Sequence, residues 1–292
     1  MEAQDGAARA GRLLTPRGEV ETPCFMPVGT KGTVKAMTPE RLRVLGVQVV
    51  LANTYHLALR PGSDVVSQLG GLHSFMNWSG PILTDSGGYQ VFSLKDTAHV
   101  DEDGVVFRSV YDGSRHFFTP ERAMAEQQAL GADLVMCFDE CPPGIASEAE
   151  VRAAVERTSR WALRCKKAHQ AVAGQGTDGP QMLLGICQGG VLPHLRRASV
   201  ESLLEIGFPG YAIGGLTVGE DRAAMLDTTA FVTSLLPADR IRYFMGIGDP
   251  EGIVEVIARG VDIFDCVLPT RTARMGTAFT RQGRLNLRNR QH

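Results

Sequence analysis

Residues Asp262-Ile-Phe-Asp-Cys-Val-Leu-Pro-Thr-Arg-Thr-Ala-Arg274 form a short apolar run that contains two carboxylates and continues into a basic segment. The apolar residues around Asp265 predict a buried strand, which Pro269 is expected to end. Because an unpaired ionised carboxylate is costly in a core, Asp265 should be either a satisfied structural group or a working one. The residues leave both interpretations open, since buried ion-pair networks also place carboxylates on strands.

This run is the last of eight similar runs, most of them apolar throughout, as expected of strands covered on both faces. The predicted strands are residues 25–30, 49–54, 82–87, 134–140, 183–189, 211–217, 242–248 and 263–270. Helix signals fill the intervals between them: Thr38, Thr119 and Asp249 each precede a proline, and Ser147 opens a capping box. Strand followed by helix, eight times, predicts a TIM (β/α)8 barrel, an α/β fold, in one catalytic domain over residues 1–292.

Three segments depart from the repeat. Residues 11–23 predict an N-terminal antiparallel hairpin with its turn at Pro16-Arg-Gly18, and residues 91–118 predict an inserted hairpin around Asp112-Gly-Ser114. Residues 171–179 are rich in glycine and predict a surface loop. Periodicity alone also allows a doubly wound sheet, but Gly29-Thr-Lys-Gly32 does not match the G-x-G-x-x-G turn that this alternative needs.

Composition narrows the class of protein. No apolar run reaches the length of a membrane span and no signal peptide begins the chain, so we expect a soluble cytoplasmic protein that does not contact membranes. The six cysteines include no C-x-x-C pair, which indicates neither a disulfide framework nor a complete metal site. The net charge is -2, yet residues 266–292 contain no acidic residue and six arginines. This basic segment fits an RNA-binding face or a solvated terminal hairpin equally well.

The residues at the carboxyl ends of the predicted strands should meet at one face of the barrel. They include Asn53, Thr54, Asp85, Ser86, Gly87, Gly88, Tyr89, Asp139, Glu140, Cys141, Gln188, Gly189, Gly214, Gly215, Leu216, Met245, Gly246 and Asp265. This set lacks a dinucleotide-binding turn and a strand-end lysine, which argues against hydride transfer and Schiff-base chemistry. It suits glycosyl transfer, in which one carboxylate attacks an anomeric carbon and a second manages the proton of the leaving group. Amide, backbone and carboxylate groups could bind the edge of a guanine-like base, with Tyr89 and Met245 against its faces.

Several long motifs, in order from about residue 11 to residue 288, closely resemble the tRNA-guanine transglycosylases. They are Phe25-Met-Pro-Val-Gly29, Asn53-Thr-Tyr-His-Leu57, Leu83-Thr-Asp-Ser-Gly-Gly-Tyr-Gln90, Phe138-Asp-Glu-Cys141, Gly214-Gly-Leu216, Phe244-Met-Gly-Ile-Gly248 and Phe264-Asp-Cys-Val-Leu-Pro-Thr-Arg271. The resemblance implies exchange of the wobble guanine in U-G-U anticodons, in the tRNAs for aspartate, asparagine, histidine and tyrosine. The incoming base would be 7-aminomethyl-7-deazaguanine, and the reaction would pass through a covalent aspartyl-ribose intermediate in queuosine biosynthesis.

The resemblance also assigns expected roles to residues. Asp265 matches the nucleophile and Asp85 the general acid/base. Positions that match the base-binding residues are Ser86, Gly87, Gly88, Tyr89, Asp139, Cys141, Gln188, Gly215, Leu216 and Met245. Positions that match the tRNA-binding residues are Gly246, Ile247, Gly248, Asp249, Pro250, Glu251, Gly252, Thr270, Arg271, Thr272, Ala273 and Arg274. Cys141 and Val218 are similar to the bacterial enzymes, which use the aminomethyl base, whereas the eukaryotic enzyme has a smaller residue at the second position.

Members of this family carry a zinc subdomain, with a C-x-C-x-x-C motif and a later histidine, which these 292 residues do not include. We therefore expect a barrel without the zinc subdomain, no cofactor within the chain and, as in the family, a homodimer. The alternatives are an inactive or truncated tRNA-binding relative, such as the accessory subunit of the eukaryotic enzyme, the archaeal relative that modifies another tRNA position, and a metabolic barrel enzyme with a small phosphorylated substrate. The presence of Asp85, Asp139 and Asp265 favours an active transglycosylase.

Overall fold

A ring of eight parallel strands lies at the centre of the computed structural model, which describes residues 1–92, 98–172 and 181–289. In these residues the strands are β1 (Ala3–Asp5), β2 (Ala8–Thr15), β3 (Gly18–Thr22), β4 (Cys24–Pro27), β5 (Val50–Ala52), β6 (Ile82–Thr84), β7 (His99–Val100), β8 (Val105–Arg108), β9 (Arg115–Phe118), β10 (Leu134–Met136), β11 (Met182–Cys187), β12 (Gly210–Ile213), β13 (Ile241–Phe244), β14 (Ile263–Cys266), β15 (Thr277–Thr280) and β16 (Gly283–Asn286). The helices are α1 (Pro39–Val44), α2 (Thr54–Leu59), α3 (Ser63–Gln68), α4 (Gly71–Met76), α5 (Gly88–Phe92), α6 (Pro120–Leu130), α7 (Glu148–Val172), α8 (Pro193–Ile206), α9 (Arg222–Leu235), α10 (Pro250–Ile257) and α11 (Leu268–Arg274).

The ring is a TIM barrel. Its hydrogen-bonded order is β4-β14-β13-β12-β11-β10-β6-β5, with parallel pairing throughout. A parallel bridge between Val28 and Leu51 closes it, and the Gly29 N–H donates to the Leu51 carbonyl at 2.6 Å. All eight predicted strands are present, which confirms the fold class. Each strand ends earlier than predicted, because the residues beyond it turn outward into the loops of the barrel mouth.

Side-chain alternation along β14 directs its two kinds of residue to opposite faces. Ile263 belongs to the cluster inside the barrel, together with Met26, Leu184 and Tyr243. Phe264 belongs to the cluster between the strands and the helices. Asp265 therefore projects toward the barrel axis, at the carboxyl end of the strand.

The N-terminal sheet β1–β3 closes the opposite end of the barrel. Leu13 and Val20 pack into the interior cluster, and Arg9 donates to both carboxylate oxygens of Asp262, from Nε at 2.7 Å and from Nη2 at 2.6 Å. Asp262, directly before β14, is thus the satisfied structural carboxylate of the two, and Asp265 is the one within the strand. The hairpin and its turn are confirmed, and β1 is an additional strand that the sequence does not predict.

The helix starts and the inserted hairpin agree with the sequence. Thr38, Thr119 and Asp249 cap α1, α6 and α10 through their side chains, and the Ser147 N–H donates to Glu150 at 2.7 Å before α7. The inserted hairpin consists of β8 and β9, to which β7 adds a third strand. Most of the predicted loop at 171–179 lies outside the described residues. No helix among the described residues is both long and apolar enough to cross a membrane.

The predicted strand at 263–270 is too long. β14 ends at Cys266 and α11 begins at Leu268, so the last three predicted strand residues are helical. Pro269 lies in the first turn of α11, where a missing N–H and a fixed φ favour a helix rather than end one. Arg271 and Arg274 consequently project from a helix beside the barrel mouth.

Candidate active site

Three carboxylates lie at the carboxyl ends of barrel strands. Asp265 is on β14, Asp85 directly follows β6, and Asp139 follows β10 by three residues. The exposed fractions are only 8% for Asp85 and 4% for Asp139, and Asp265 is partly buried. The charge of Asp85 raises the pKa of both other aspartates, so all three belong to one electrostatic cluster.

Asp265 is held through a single oxygen. The Tyr243 hydroxyl donates to Oδ1 at 2.7 Å and the Gly246 N–H donates to the same oxygen at 3.1 Å. Among the described residues no donor binds Oδ2. Burial raises the pKa of Asp265 to about 6, the charge of Asp85 adds to the rise, and the two donors oppose it. Near neutral pH the group is therefore an ionised carboxylate with one fixed and one available oxygen.

Asp85 has a denser set of partners. Asn53 Nδ2 and Gln90 Nε2 donate to Oδ2 at 2.6 and 2.7 Å, and the Thr54 N–H donates to Oδ1 at 2.8 Å. Burial nevertheless raises the pKa of this carboxyl group above its ordinary value, against the effect of these donors. Each of these partners is neutral, so proton uptake by Asp85 breaks no ion pair. This environment suits a group that accepts and returns a proton.

Asp139 is linked to the end of the neighbouring strand. Ser86 Oγ donates to Oδ1 at 2.9 Å and Gln188 Nε2 donates to Oδ2 at 2.7 Å. Burial raises the pKa of Asp139 to about 6, and the charge of Asp85 adds to the rise. The turn after Asp85 fits against this residue only because it contains glycine: a Cβ at Gly88 would lie 2.6 Å from the Asp139 carbonyl oxygen.

Gln188, beside Asp139, has a side-chain oxygen that is available as a hydrogen-bond acceptor. Its side chain is 1% exposed, and its Oε1 is a buried atom without a hydrogen-bond partner in the described chain. Gly215, with φ +65°, lies against this oxygen so closely that a side chain there would collide with it. Two carboxylate oxygens, one amide and the glycine backbone therefore line a slot that can match the polar edge of a flat heterocycle.

A small cavity adjoins this slot. It has a volume of about 170 Å³ and is lined in part by Gly144, Gly215, Val218 and Glu220. The Val218 N–H donates to Glu220 at 3.1 Å, which forms a tight turn in the loop after Leu216. Cys141 lies nearby, and burial raises the pKa of its thiol to about 12, so the residue is a neutral wall of the site.

Comparison with known proteins identifies the family. The family model described as queuine tRNA-ribosyltransferase matches residues 4–292. The chain belongs to the queuine tRNA-ribosyltransferase family. Three similar curated relatives carry that name: one from Halothermothrix orenii, 57% identical over 282 residues, 97% of this chain and 74% of the relative; one from Desulforamulus reducens, 55% identical over 285 residues, 98% and 75%; and one from Thioalkalivibrio sulfidiphilus, 55% identical over 287 residues, 98% and 76%.

Membership in this family confirms the resemblance and the enzyme class. Queuine tRNA-ribosyltransferases are pentosyltransferases, the reaction type for which the strand-end carboxylates are suited. Among the described residues, no group of three or more histidine, cysteine, aspartate and glutamate side chains is arranged to hold a metal ion.

The two segments predicted to contact tRNA lie side by side. Gly248 packs against Cys266 and against Pro269, whose Cδ would be 3.2 Å from a Cβ at position 248. α11 exposes Arg271 and Arg274 beside this contact. The hairpin β15–β16 and the residues after it add further exposed cations, Arg281, Arg284 and Arg288, while Arg290 lies outside the described residues.

The structure brings together most of the residues predicted to bind the base. The predicted stacking pair, Tyr89 and Met245, is the exception. Tyr89 is 58% exposed and Met245 is partly buried against the interior cluster. Their stacking on a base stays a prediction. Sequence reasoning misses Tyr243 and Gln90, the donors to Asp265 and Asp85. Tyr243 resembles a core aromatic within an apolar strand, and only its pairing next to β14 reveals its function.

Proposed function

We propose that the protein exchanges the wobble guanine of U-G-U anticodon tRNAs for 7-aminomethyl-7-deazaguanine, with Asp265 as nucleophile. The observation that carries this proposal is the state of Asp265: a carboxylate fixed through Oδ1 by Tyr243 and Gly246, with Oδ2 available. A nucleophile needs such orientation, because catalysis depends on a defined approach to the reacting atom. A purely structural aspartate would be satisfied on both oxygens, as Asp262 is.

In the first half-reaction Asp265 Oδ2 forms a bond to C1′ of the wobble nucleotide. The C1′–N9 bond breaks on the opposite face, and its electron pair leaves with guanine. Asp85, whose pKa burial raises, supplies the proton that neutralises the departing base. The tRNA is then held as an ester between C1′ and Asp265.

In the second half-reaction N9 of the incoming base attacks C1′ and displaces the carboxylate. The N9 proton passes to Asp85, which restores the starting state of both aspartates. Each step inverts the configuration at C1′, so the product keeps the original configuration. Proton release and proton uptake thus balance on one group.

We expect the slot beside Asp139 to select a guanine-type base. A carboxylate can accept the ring N–H and the amino group of a guanine-type edge, while Gln188 and the Gly215 N–H serve its carbonyl oxygen. We expect the Leu216 carbonyl, which follows Gly215 in the chain, to accept a hydrogen bond from the aminomethyl group. Val218 lines the adjoining cavity and restricts the size of this substituent, which favours the aminomethyl base over bulky ones.

The test is incorporation of labelled guanine into tRNA. Wild-type protein should label tRNA that carries a U-G-U anticodon loop and should leave a tRNA with the central G replaced unlabelled. Unlabelled 7-aminomethyl-7-deazaguanine added afterwards should chase the label out. Binding of tRNA without any incorporation would support the alternative, an inactive tRNA-binding relative, and contradict the proposal.

We also propose that two copies associate through the face formed by α1 and the end of α4. Val44 is 87% exposed, Leu45 68% and Phe75 37%, and Arg43 binds the Asn77 carbonyl at 2.7 Å, which joins the two elements. Apolar side chains clustered on a surface favour association. Sedimentation should show a dimer that Leu45→Glu converts to a monomer, whereas Ile145→Glu, at a residue 93% exposed elsewhere, should not. A monomeric wild type at micromolar concentration would contradict this.

A further inference from the structure

Arg196 is a cation enclosed by the protein beneath the base slot. It belongs to α8, its side chain is 0% exposed, and it is among the largest fully buried side chains. Its Nε donates to the Gly190 carbonyl and its Nη1 to the Cys187 carbonyl, both at 2.7 Å. Nη2 is buried without an acceptor among the described residues, and no carboxylate there forms an ion pair with Arg196. Burial of a guanidinium without an ionic partner is costly, and the hydrogen bonds to the two carbonyls offset part of that cost.

The two carbonyl groups that Arg196 binds flank Gln188 in the chain. The N–H of Gln188 itself donates at 3.1 Å to Ser199 Oγ, one turn further along the same buried face of α8. The turn between the two carbonyls contains Gly189 at φ +140° and Gly190 at φ +56°. The arginine stem packs on this turn, since a Cβ at Gly189 would lie 3.1 Å from Arg196 Cδ. The helix therefore holds three backbone groups around Gln188.

The charge of Arg196 also reaches the base slot. Burial raises the pKa of the Cys141 thiol to about 12. The negative charge of Asp139 adds to this rise, and the positive charge of Arg196 opposes it. The hydrogen-bond donors to Asp139 are neutral groups of Ser86 and Gln188. The cation of Arg196 thus lies close enough to the slot to act on Cys141, in its wall, and it is held there by the carbonyls of Cys187 and Gly190.

We propose that Arg196 is a positioning residue for base recognition: it fixes the turn that carries Gln188 and keeps the amide aligned with Asp139. This inference rests on the proposed role of Gln188 and Asp139 in base binding. Asp265 lies on β14 and its donors Tyr243 and Gly246 lie on β13 and just after it, outside this contact. Loss of Arg196 should accordingly weaken the binding of the free base and leave the ester-forming step nearly unchanged.

The experiment compares Arg196→Met and Arg196→Lys with the control Arg197→Met. Arg197 is the next residue of α8, is exposed and contacts only the ring of Phe231 in the described contacts, at 5.3 Å. At saturating tRNA, Arg196→Met should raise the KM for guanine by about 10-fold to 100-fold, the effect of losing one well-aligned charge-assisted hydrogen bond. Its kcat and its Kd for tRNA should stay within about 3-fold of wild type, a spread smaller than one lost hydrogen bond produces. The KM for guanine of Arg196→Lys should fall between those of wild type and Arg196→Met, because an ammonium group can still bind one of the carbonyls.

Ser199→Ala gives a second measurement that does not depend on tolerance of a changed charge. It removes the acceptor of the Gln188 N–H and should raise the KM for guanine in the same direction, with kcat preserved. Two results would overturn the inference. The first is a KM for guanine that is unchanged both in Ser199→Ala and in one of the Arg196 variants. The second is a loss of kcat and of tRNA affinity as large as the rise in KM, which would show a structural role only. If wild type and Arg197→Met both fail to incorporate guanine, it is the proposed function that fails.

Discussion

Replacement of Asp265 by asparagine should abolish base exchange, with incorporation of labelled guanine reduced by about 10⁴-fold or more. Asparagine retains the carbonyl oxygen that can accept from Tyr243 and from the Gly246 N–H, so the geometry of the site should survive. The amide nitrogen that replaces Oδ2 cannot form an ester with C1′. The covalent complex with tRNA, trapped by an incoming base analogue and separated under denaturing conditions, should therefore be absent as well.

The same variant should be more stable than wild type above pH 6. The pKa of Asp265 rises from 3.8 to about 6 on folding, so the unfolded chain gives up this proton more readily. The stability associated with the neutral carboxyl group is fully present below about pH 4 and is lost as the pH rises through about 6. Asparagine never ionises, and at pH 8 its free energy of unfolding should exceed that of wild type by on the order of 1–2 kcal/mol.

Thermal unfolding at pH 4 and pH 8 checks this linkage. The melting temperatures of wild type and Asp265→Asn should differ little at pH 4. At pH 8 the melting temperature of the variant should be the higher one. For the wild type, the exchange rate should rise with pH through about 6, since only the ionised carboxylate attacks. An Asp265→Asn protein that exchanges guanine at a normal rate, or an ester found on another side chain, would refute the assignment of the nucleophile.

The second large effect is expected for Asp85→Asn, which should slow exchange by about 10²-fold to 10⁴-fold, the usual range for loss of a general acid/base. Asn53 and Gln90 both donate to Oδ2 of Asp85, and either amide can flip to present its oxygen to the new N–H₂ group. The fold should survive for that reason. Single-turnover formation of the covalent tRNA complex should be slow but detectable, because Asp265 is still present.

Asp133 provides the matched control. It is a carboxylate 4% exposed at the other end of the barrel, where its partners are His73 at 2.9 Å, Arg17 at 3.6 Å and the Ile82 N–H at 2.8 Å. Asp133→Asn should lower the melting temperature and leave exchange unchanged at permissive temperature. Equal loss of exchange in both variants would indicate that buried carboxylates act only through stability, and would remove Asp85 from the mechanism.

The sequence allowed the barrel and much of the candidate site to be predicted, for one physical reason. Strands covered on both faces are apolar throughout, and parallel strands bring their carboxyl ends to one face, so Asp85, Asp139 and Asp265 could be grouped without coordinates. The roles of Asp262, directly before β14, and Asp265, within it, could not be told apart in this way. The partner of Asp262 is Arg9, 253 residues earlier in the chain, and no local pattern reveals such a contact.

Other differences have local causes. α11 was not predicted from the sequence, because Pro269 can end a strand or begin a helix and the neighbouring residues do not decide between the two. Arg196 was hidden because an arginine in an amphipathic helix ordinarily projects into solvent, and its burial depends on how α8 packs on the turn after β11. Long-range packing thus determined the groups that orient the site, while strand periodicity determined where the site lies.

One neighbour of β14 in the ring is β4, the first barrel strand to leave the ribosome, whereas β14 is the last of the eight. Contacts this distant in sequence form late and slowly. A nascent chain should therefore hold no competent nucleophile until translation has passed α11 and the ring has closed. Until then, cellular tRNA would meet only an incomplete enzyme, without the nucleophile that we propose.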